Sequence, residues 1–375
     1  MSKTPFGGTY EGMTVLVTGH TGFKGSWLSI WLQELGARVV GYSLEPPTRP
    51  SNFALSHLDR RLVDVRADVR DLDALRETIA CYEPRLVFHL AAQPLVLPSY
   101  RQPKETLDTN VGGMVNLLEA VRTTQPVRAV VCVTTDKVYK NREWLWGYRE
   151  NDELGGQDPY SASKAMAELA IESYRQSFFA GDRYAEHGVA VASARAGNVI
   201  GGGDWGEYRL IPDCVRALTQ GQPIGLRNPS FVRPWQILLE PLSGYLWLAV
   251  KLLGPEGWNY AEAWNLGPQE RRAVTTEEVV RKVIEVWGSG DYVTGTTQTE
   301  TETALLRLNA DKADNRLGWQ CVYGWEQAVV ETTRWYRAYA DRQAETEAID
   351  MHDVCVAQIA EYTAQARAEG IVWAS

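Results

Sequence analysis

A regular alternation of short β-rich runs and amphipathic segments constrains the fold of this chain more than any other feature of its sequence. Strands that alternate with helices at this spacing form right-handed β-α-β units and a parallel sheet covered on both faces. The pattern therefore predicts an α/β protein with a doubly wound parallel sheet. The predicted strands are residues 13–18, 38–42, 62–65, 86–90, 129–133 and 189–194, and the predicted helices are residues 22–35, 72–82, 104–122 and 160–178.

The alternation ends near residue 200, where a glycine-rich loop and a stretch interrupted by Pro, Arg and Trp follow. We expect a smaller α/β carboxyl-terminal lobe for the substrate beside a Rossmann-type domain. The predicted division is residues 1–195 for the first domain with a contribution from 236–265, residues 196–235 and 266–345 for the lobe, and residues 346–375 for a helical tail.

Composition excludes several functional classes. The net charge of −9 has the wrong sign for non-specific binding to nucleic acid. No run approaches 18 uninterrupted apolar residues, and the opening residues lack the pattern of a signal peptide. The five scattered cysteines exclude a Cys-x-x-Cys metal site and argue against a disulfide framework. We therefore expect a cytoplasmic protein with no metal, no nucleic-acid partner and no membrane association.

The first predicted strand runs into a glycine-rich turn that opens a helix. Glycine is needed there because the backbone approaches a pyrophosphate closely and takes positive φ. The helix amino terminus supplies unpaired N–H groups and a partial positive charge. At the start of a β-α-β unit, this turn predicts a dinucleotide-binding site. Its residues are Gly19-His20-Thr21-Gly22-Phe23-Lys24-Gly25. The His20 side chain either contacts the cofactor or substrate or has a purely structural role.

The end of the second strand normally has an acidic residue that binds the adenosine ribose and excludes a 2′-phosphate. That position is Ser43 here, with Glu45 beyond it and Arg49 further on. We expect NAD as the cofactor, although this position by itself leaves NADP open. Asp68 and Val69, after the third strand, are placed to receive the adenine amino group, with helix capping as the alternative for Asp68.

A Tyr-x-x-x-Lys motif lies at the start of the helix predicted at 160–178. Tyr160 and Lys164 share one helical face, so the lysine ammonium is expected to lower the pKa of the phenol and make it a base near neutral pH. Thr135 stands at the carboxyl end of the preceding strand, where an open parallel sheet has its ligand crevice. Together with the glycine turn, this motif predicts a nicotinamide-dependent enzyme.

With these motifs the chain resembles the extended short-chain dehydrogenases/reductases. The resemblance implies that Thr135 completes a catalytic triad with Tyr160 and Lys164. It also implies a homodimer, or a higher homo-oligomer, built through the helices predicted at 104–122 and 160–178. The residues that it places beside the nicotinamide ribose are Asn110 and Leu90-Ala91-Ala92-Gln93.

Asp136-Lys137, directly after Thr135, narrows the resemblance. Sugar epimerases of the family usually have small uncharged residues here, whereas an adjacent acid and base suit a reaction that needs more than hydride transfer. The pair resembles the group of nucleotide-sugar 4,6-dehydratases that act on CDP-glucose in deoxysugar biosynthesis for the lipopolysaccharide O-antigen. Val138 and Ile237 depart from that group, which has cysteine and histidine there. The loops that match it are residues 91–96, 141–144, 195–205 and 233–236.

This resemblance implies a redox-neutral elimination. Tyr160 deprotonates the 4-hydroxyl, Asp136 protonates the leaving 6-hydroxyl, and Lys137 is either the C5 base or an electrostatic stabiliser. Arginine guanidinium groups are expected to bind the phosphate oxygens of the substrate diphosphate with paired hydrogen bonds. Alternatives are another nucleotide-hexose dehydratase, a 4-epimerase, or a non-catalytic nucleotide sensor, which would lack Tyr160 or Lys164. The expected substrate-binding residues are Gln93, Thr135, Asn198, Arg209, Arg233, Gln236 and Arg307.

Overall fold

The structure is a computed structural model that describes residues 4–207, 209–232, 234–268, 274–295, 306–344 and 349–375. Within these ranges the strands are β1 (Thr14–Thr18), β2 (Arg38–Ser43), β3 (Val63–Arg66), β4 (Leu86–His89), β5 (Ala129–Val133), β6 (Ala190–Ala196), β7 (Val199–Ile200), β8 (Ile224–Leu226), β9 (Gln236–Ile237), β10 (Ala263–Leu266) and β11 (Tyr292–Thr294). The helices are α1 (Phe23–Glu34), α2 (Asn52–Leu55), α3 (Leu72–Tyr82), α4 (Val96–Arg101), α5 (Pro103–Leu107), α6 (Gly113–Thr123), α7 (Pro159–Ser177), α8 (Tyr184–His187), α9 (Leu210–Thr219), α10 (Leu239–Leu253), α11 (Thr276–Trp287), α12 (Trp325–Ala344) and α13 (His352–Ala368).

Seven parallel strands form the main sheet, in the order β10-β6-β5-β4-β1-β2-β3. The chain winds from β1 to β3 on one side and then crosses to β4 on the other, so the winding direction changes between β1 and β4. Ligands of such sheets bind outside the carboxyl ends of the strands at this change. The predicted Rossmann-type, doubly wound sheet is confirmed.

Alternate residues of the strands enter two separate apolar cores, because successive side chains of a strand point to opposite faces. Val15 and Val17 of β1 belong to a core that includes residues of α1, α10, α12 and α13. Leu16, between them, belongs to a core with residues of α3, α6 and α7. Both faces of the sheet are therefore covered, as the continuous apolar strands require.

The helix predicted at residues 104–122 is divided in the structure. A π-helical turn, Asp108–Gly112, separates α5 from α6. Such turns insert an extra residue into a helix and occur frequently at functional sites. This one contains Asn110, whose side chain faces the loop after β4 and not solvent. The extra residue leaves no signature in the apolar periodicity from which the helix was predicted.

The rest of the chain packs against the end of the sheet and one of its faces. Two small parallel pairs, β7 with β9 and β8 with β11, follow the end of β6. Within residues 236–265, α10 packs on β5 and β6, and β10 pairs with β6. The final helix α13 packs on α1. After the end of α13, Trp373 stacks on Phe6, near the start of the chain, with ring centroids 5.0 Å apart.

Helix α7 begins with a strong local signal. The Asp158 carboxylate accepts hydrogen bonds from the Ser161 backbone N–H at 2.9 Å and from its hydroxyl at 2.6 Å, and Pro159 occupies the first turn. Both features fix the amino terminus of a helix. They place Tyr160 in the first turn. Among the described residues, no helix is long and apolar enough to cross a membrane.

Candidate active site

The glycine turn between β1 and α1 is packed too tightly for side chains. Gly19 has φ +76°, and a Cβ there would lie 2.7 Å from the backbone nitrogen of Ala91. A Cβ on Gly25 would lie 2.1 Å from the Gly19 carbonyl oxygen. Gly22 caps α1 without any side-chain hydrogen bond, so the first N–H groups of the helix remain available. This cradle fits a dinucleotide pyrophosphate.

The His20 side chain points away from the ligand crevice. Its ring is fully buried, and its Nε2 lies 2.8 Å from Asp64 Oδ1. The ring also packs so closely on Gly41 that a Cβ there would lie 2.3 Å from it. Burial lowers the pKa of His20 and outweighs the opposing effect of Asp64. The His20 side chain therefore has the structural role that was the alternative to ligand binding. Only the His20 backbone remains part of the cofactor-binding turn.

The end of β2 contains hydroxyl and carboxylate groups where the adenosine ribose is expected. Thr21 Oγ1 lies 2.9 Å from Ser43 Oγ, which holds Ser43 beside the glycine turn. The nearby Arg66 guanidinium is 2.8 Å from Asp64 and 3.4 Å from Glu45. A cation already paired with two carboxylates is a poor partner for a 2′-phosphate, so this geometry favours NAD.

Asp68 does not cap α3, so the capping alternative is wrong. The side chain of Asp71 caps that helix. The Asp68 carboxylate instead accepts bonds from the backbone and guanidinium of Arg70, which lower its pKa. Val69 is buried, and its carbonyl accepts a bond from Asn116 at 3.1 Å.

Asn110 fixes the loop that follows β4. Its amide bonds both the N–H and the carbonyl of Gln93, at 2.8 and 3.1 Å, and donates to Ser163 on α7 at 2.8 Å. This arrangement holds Leu90-Ala91-Ala92 against Gly19. The Gln93 side chain bonds to Leu95 of its own loop.

The predicted catalytic residues converge at the carboxyl end of β5. Thr135 hydrogen-bonds the Tyr160 hydroxyl, and its Oγ1 donates to Asp136 Oδ1 at 2.9 Å. Lys137 Nζ lies 6.0 Å from the centroid of the Tyr160 ring. Lys164 lies one helical turn after Tyr160 and is buried with it. One site therefore contains a hydroxyl pair, a carboxylate and two lysines.

Burial dominates the electrostatics of the tyrosine and the lysine. It raises the pKa of Tyr160 to about 12. The hydrogen bond with Thr135 and the field of Arg209 oppose this rise only in part, and the nearby Asp136 carboxylate adds to it. Burial also lowers the pKa of Lys164 to about 8. The expected lowering of the Tyr160 pKa by the lysine is not found, because desolvation of the phenol exceeds the effect of the surrounding cations.

Two further cations approach the same residues. Lys24, on the first turn of α1, feels the fields of Arg209, Asp136 and Lys164, and burial lowers its pKa to about 8. Arg209 is held by Asp204, with Nη1 2.6 Å from Oδ2. The crevice is therefore locally cationic although the chain is acidic overall.

The remaining predicted substrate residues differ in placement. Asn198 is exposed just beyond the carboxyl end of β6. Gln236 on β9 is buried, and neither polar atom of its amide has a hydrogen-bond partner among the described residues. Arg307 is half-buried, and its carbonyl accepts a bond from Tyr148 at 2.9 Å. Arg233 lies outside the described residues.

The family model for GDP-mannose 4,6 dehydratase matches residues 16–332, which covers the glycine turn, Asp136-Lys137 and the Tyr-x-x-x-Lys motif. The chain belongs to this dehydratase family.

Two relatives of this chain are nucleotide-sugar 4,6-dehydratases by name. The chain is 48% identical over 331 residues to the CDP-glucose 4,6-dehydratase of Salmonella typhimurium (strain LT2), covering 88% of this chain and 92% of the relative. It is 26% identical over 344 residues to a probable dTDP-glucose 4,6-dehydratase of Sinorhizobium fredii, covering 86% and 93% of the two chains.

Solved structures confirm the fold. The dTDP-glucose 4,6-dehydratase from Streptomyces venezuelae with NAD bound matches with a TM-score of 0.71 at 25% identity, over 88% of this chain and 98% of that one. The UDP-glucose 4-epimerase of Thermus thermophilus in complex with NAD gives 0.73 at 26% identity, over 87% and 99%. The predictions of an extended short-chain dehydrogenase/reductase, of a hydro-lyase and of NAD as its cofactor are confirmed.

Several residues of this dehydratase site were not predicted. The hydroxyl of Ser99 accepts a bond from the Tyr160 backbone N–H at 3.1 Å. Asp204, which orients Arg209, and Glu168, four residues after Lys164, are buried carboxylates. Glu168 could have been predicted from its spacing of four residues after Lys164 on the same helix. Ser99 and Asp204 could not, because only tertiary packing brings them to the site. Among the described residues there is no cluster of His, Cys, Asp or Glu arranged to hold a metal.

Proposed function

We propose that the protein converts CDP-D-glucose to CDP-4-dehydro-6-deoxy-D-glucose and water. The observation that carries this proposal is the contact between Asp136 and Thr135, which itself bonds Tyr160. An acid next to the tyrosine that deprotonates the 4-hydroxyl suits loss of water from the sugar. A 4-epimerase does not catalyse this loss. The 48% identical Salmonella typhimurium enzyme, a CDP-glucose 4,6-dehydratase, supports the choice of nucleotide.

The glycine turn and the ends of β2, β3 and β4 form the proposed cofactor site. NAD bound there would supply the acceptor for the hydride from sugar C4 and the donor of the same hydride to C6, so the cycle would need no external reductant. We assign the pyrophosphate to the α1 amino terminus, the adenosine to the ends of β2 and β3, and the nicotinamide ribose to the loop after β4 and to α7. The residues are Gly19, His20 through its backbone, Thr21, Gly22, Phe23, Lys24, Gly25, Ser43, Asp68, Val69, Leu90, Ala91, Ala92, Gln93, Asn110, Tyr160 and Lys164.

Tyr160 removes the proton of the 4-hydroxyl in this scheme. Thr135 lies within hydrogen-bonding distance of the phenol and orients the same hydroxyl of the sugar. Burial keeps the pKa of Tyr160 at about 12, so the phenol needs a nearby cation when it loses its proton. Lys164, whose pKa of about 8 leaves it largely protonated at pH 7, supplies that cation in this scheme and binds the ribose.

Asp136 and Lys137 act after oxidation at C4. The 4-ketone acidifies the hydrogen at C5, and Asp136 protonates the 6-hydroxyl as it leaves. Asp136 is buried, and a Cβ on the neighbouring Gly197 would lie 3.1 Å from its Oδ2. A side chain at position 197 would therefore crowd the carboxylate, and glycine leaves room for it. Lys137, beside the Tyr160 ring, acts at C5 as base or as the cation that stabilises the enolate.

The diphosphate and sugar are assigned to the elements after β6. We assign Arg209 to the diphosphate, which its guanidinium can bind with paired hydrogen bonds. Asp204 orients this arginine, and its positive charge is close enough to Tyr160 to lower the pKa of the phenol. Gln236 has a buried amide with no protein partner among the described residues, which is the signature of a group awaiting a ligand. The other proposed contacts are Gln93, Thr135, Asn198, Arg233 and Arg307.

We also propose a homo-oligomer of cytoplasmic location with the two-lobed division expected from the sequence. The expected interface is formed by the helices predicted at 104–122 and 160–178. Exposed apolar side chains on α7 support the second of these, since Met166 and Leu169 have exposed fractions of 46% and 59%, and Tyr100 on the adjoining α4 has 54%. A surface of this kind favours association with a second copy. A role of the product in the lipopolysaccharide O-antigen stays a prediction.

Incubation of the purified protein with CDP-, dTDP-, UDP- and GDP-hexoses, with no added reductant, tests the proposed function. We expect a 4-keto chromophore in alkali from CDP-glucose and a slower reaction, or none, with the other nucleotides. Inversion at C4 without loss of water would identify a 4-epimerase. Preferred turnover of another nucleotide would contradict the cytidine assignment and leave the dehydratase class intact.

A further inference from the structure

Glu168 is a buried carboxylate on the catalytic face of α7. Tyr160, Lys164 and Glu168 follow one another at intervals of four residues, so the three side chains share one side of the helix. Only 3% of Glu168 is exposed. A carboxylate is rarely buried this fully unless other groups compensate for its lost hydration.

Three side chains from neighbouring strands surround this carboxylate. Thr134, at the end of β5, donates to Oε1. Ser193 and Arg195, both on β6, donate to Oε2 at 2.7 and 2.8 Å. Glu168 is therefore held on both oxygens by the two strands that lie beneath α7.

The hydrogen-bond network continues beyond Arg195. Arg195 Nη1 donates to the Tyr139 hydroxyl at 2.9 Å and to the Glu150 carbonyl at 3.0 Å. The Tyr139 hydroxyl in turn donates to Asn265 on β10 at 2.7 Å. Through Arg195 the carboxylate is thus connected to the segment between β5 and α7 and to β10.

Charges around the network favour an ionised Glu168. Burial raises its pKa, but Arg195 and the hydrogen bonds outweigh burial and lower the pKa overall. The field of Glu168 in turn raises the pKa of Lys164 against the dominant effect of burial. The other titratable groups that face this pair are Cys132 on β5, Arg175 on α7, Lys24 on α1 and His89 on β4.

We propose that Glu168 is the positioning residue of Lys164: held by Thr134, Ser193 and Arg195, its carboxylate lies one helical turn after the lysine on α7 and supplies the negative charge that balances the ammonium. The inference rests on the proposed role of Lys164 in catalysis. It gives the buried ion pair with Arg195 a function, since such pairs by themselves contribute little to stability.

Glu168→Gln removes the charge and keeps the shape. The pKa of Lys164 is expected to fall by about 1 to 2 pH units, the usual effect of a neighbouring charge in a buried site. Dehydration of CDP-glucose should then be near the parental rate at pH 6 and slower by about tenfold at pH 8. The Lys164 titration is measured on the holoenzyme by NMR of lysine labelled at Cε, with Lys164→Arg to assign the signal.

Glu172→Gln is the matched control, because it removes a half-exposed carboxylate four residues, or one helical turn, after Glu168 on α7. It should leave the Lys164 titration unchanged. Glu168→Asp retains the charge and should restore the alkaline activity. Because Glu168→Gln leaves Arg195 buried without its partner, Glu168→Gln combined with Arg195→Met keeps the test available if the single variant does not fold. The double variant should shift Lys164 in the same direction.

An unchanged Lys164 titration in the folded Gln variants, or an equal loss of rate at every pH, would overturn the positioning role. A shifted titration with an unshifted rate profile would support the positioning of Lys164 and contradict its proposed role in catalysis. The two proposals therefore fail separately.

Discussion

At the scale of single residues, a substitution of Asp136 should slow the elimination of water without preventing oxidation at C4. Asp136→Asn leaves Tyr160, Thr135 and Lys164 in place but removes the proposed acid for the 6-hydroxyl. We expect water loss to slow by about 10² or more, the usual contribution of a positioned general acid. Reduced cofactor should accumulate on the enzyme, visible as absorbance near 340 nm, because oxidation at C4 still proceeds.

Asp182→Asn is the control, because Asp182 is an exposed carboxylate in the short turn between α7 and α8. It should keep the parental rate. If Asp136→Asn eliminates water as fast as the parent, the acid is another group.

Gln236 gives a residue-scale prediction in which stability and affinity change in opposite directions. A buried amide without partners costs about 1 to 3 kcal/mol, so Gln236→Met should raise the free energy of unfolding of the ligand-free protein or leave it unchanged. The same change should raise the KM for CDP-glucose about tenfold, because the proposed sugar contact is lost. Thermal unfolding and steady-state kinetics measure the two effects. A lower Tm in the variant would mean that the amide is bonded within the protein.

Residue identities in the site could be predicted to the extent that they lie in contiguous motifs. The glycine turn, Asp136 and the Tyr160 and Lys164 pair are local patterns, and the structure brings the last three together. Their ionisation could not be predicted, because the burial that raises the pKa of Tyr160 comes from elements distant in sequence. For the same reason the turn motif did not reveal that the His20 ring packs beneath Gly41.

At the scale of elements, strong periodicity located most strands and helices to within a few residues. β5 and α3 have the predicted bounds, since apolar runs end there at clear breaks. The π turn Asp108–Gly112 and the pairing of β10 with β6 were not predictable, because one depends on a local extra residue and the other on tertiary contact.

The loop after β7 is the element most dependent on packing. Trp27 Nε1 donates to the Gly202 carbonyl at 2.8 Å, and the Tyr336 hydroxyl donates to the Asp204 carbonyl. A Cβ on Gly202 would lie 1.9 Å from the Trp335 ring. Gly202→Ala should therefore lower the free energy of unfolding by about 1 to 3 kcal/mol, as overpacking does. It should also raise the KM, because Asp204 orients Arg209.

Gly112→Ala provides the comparison, since no heavy atom lies within 4 Å of the added Cβ and its φ of −59° is helical. Its stability should be unchanged or higher by about 0.5 to 1 kcal/mol. Denaturant unfolding and KM values for both variants check the prediction. Equal effects of the two substitutions would contradict the packing of the loop.

At the scale of the whole molecule, the tail helix α13 is tied to the elements that form the cofactor site. The Met351 N–H donates to the Leu55 carbonyl at 2.7 Å, and Cys355 contacts Asn52, which also bonds Ser26 of α1 at 2.9 Å. The sequence predicted a helical tail, but its docking partner required the structure.

Glu240, fully buried on α10, joins this tail to the sheet and makes stability depend on pH. Its carboxylate accepts bonds from the Val322 and Tyr323 backbones and from the Tyr362 hydroxyl on α13. Burial raises its pKa from 4.5 to about 7. The folded protein therefore binds this proton more tightly than the unfolded chain. The contribution of Glu240 to stability is greatest below pH 4.5 and is lost as the pH rises through 7.

Glu240→Gln cannot ionise, so the stability of the parent relative to this variant should fall by about 3 kcal/mol between pH 4.5 and pH 8. Denaturant unfolding across this range measures the difference. Glu262→Gln is the opposite control: ion pairs with Lys312 and Arg316 outweigh burial and lower the pKa of Glu262. The parent should therefore gain stability relative to that variant as the pH rises. Parallel curves for the parent and Glu240→Gln would show that burial does not raise the pKa of Glu240 above its value in the unfolded chain.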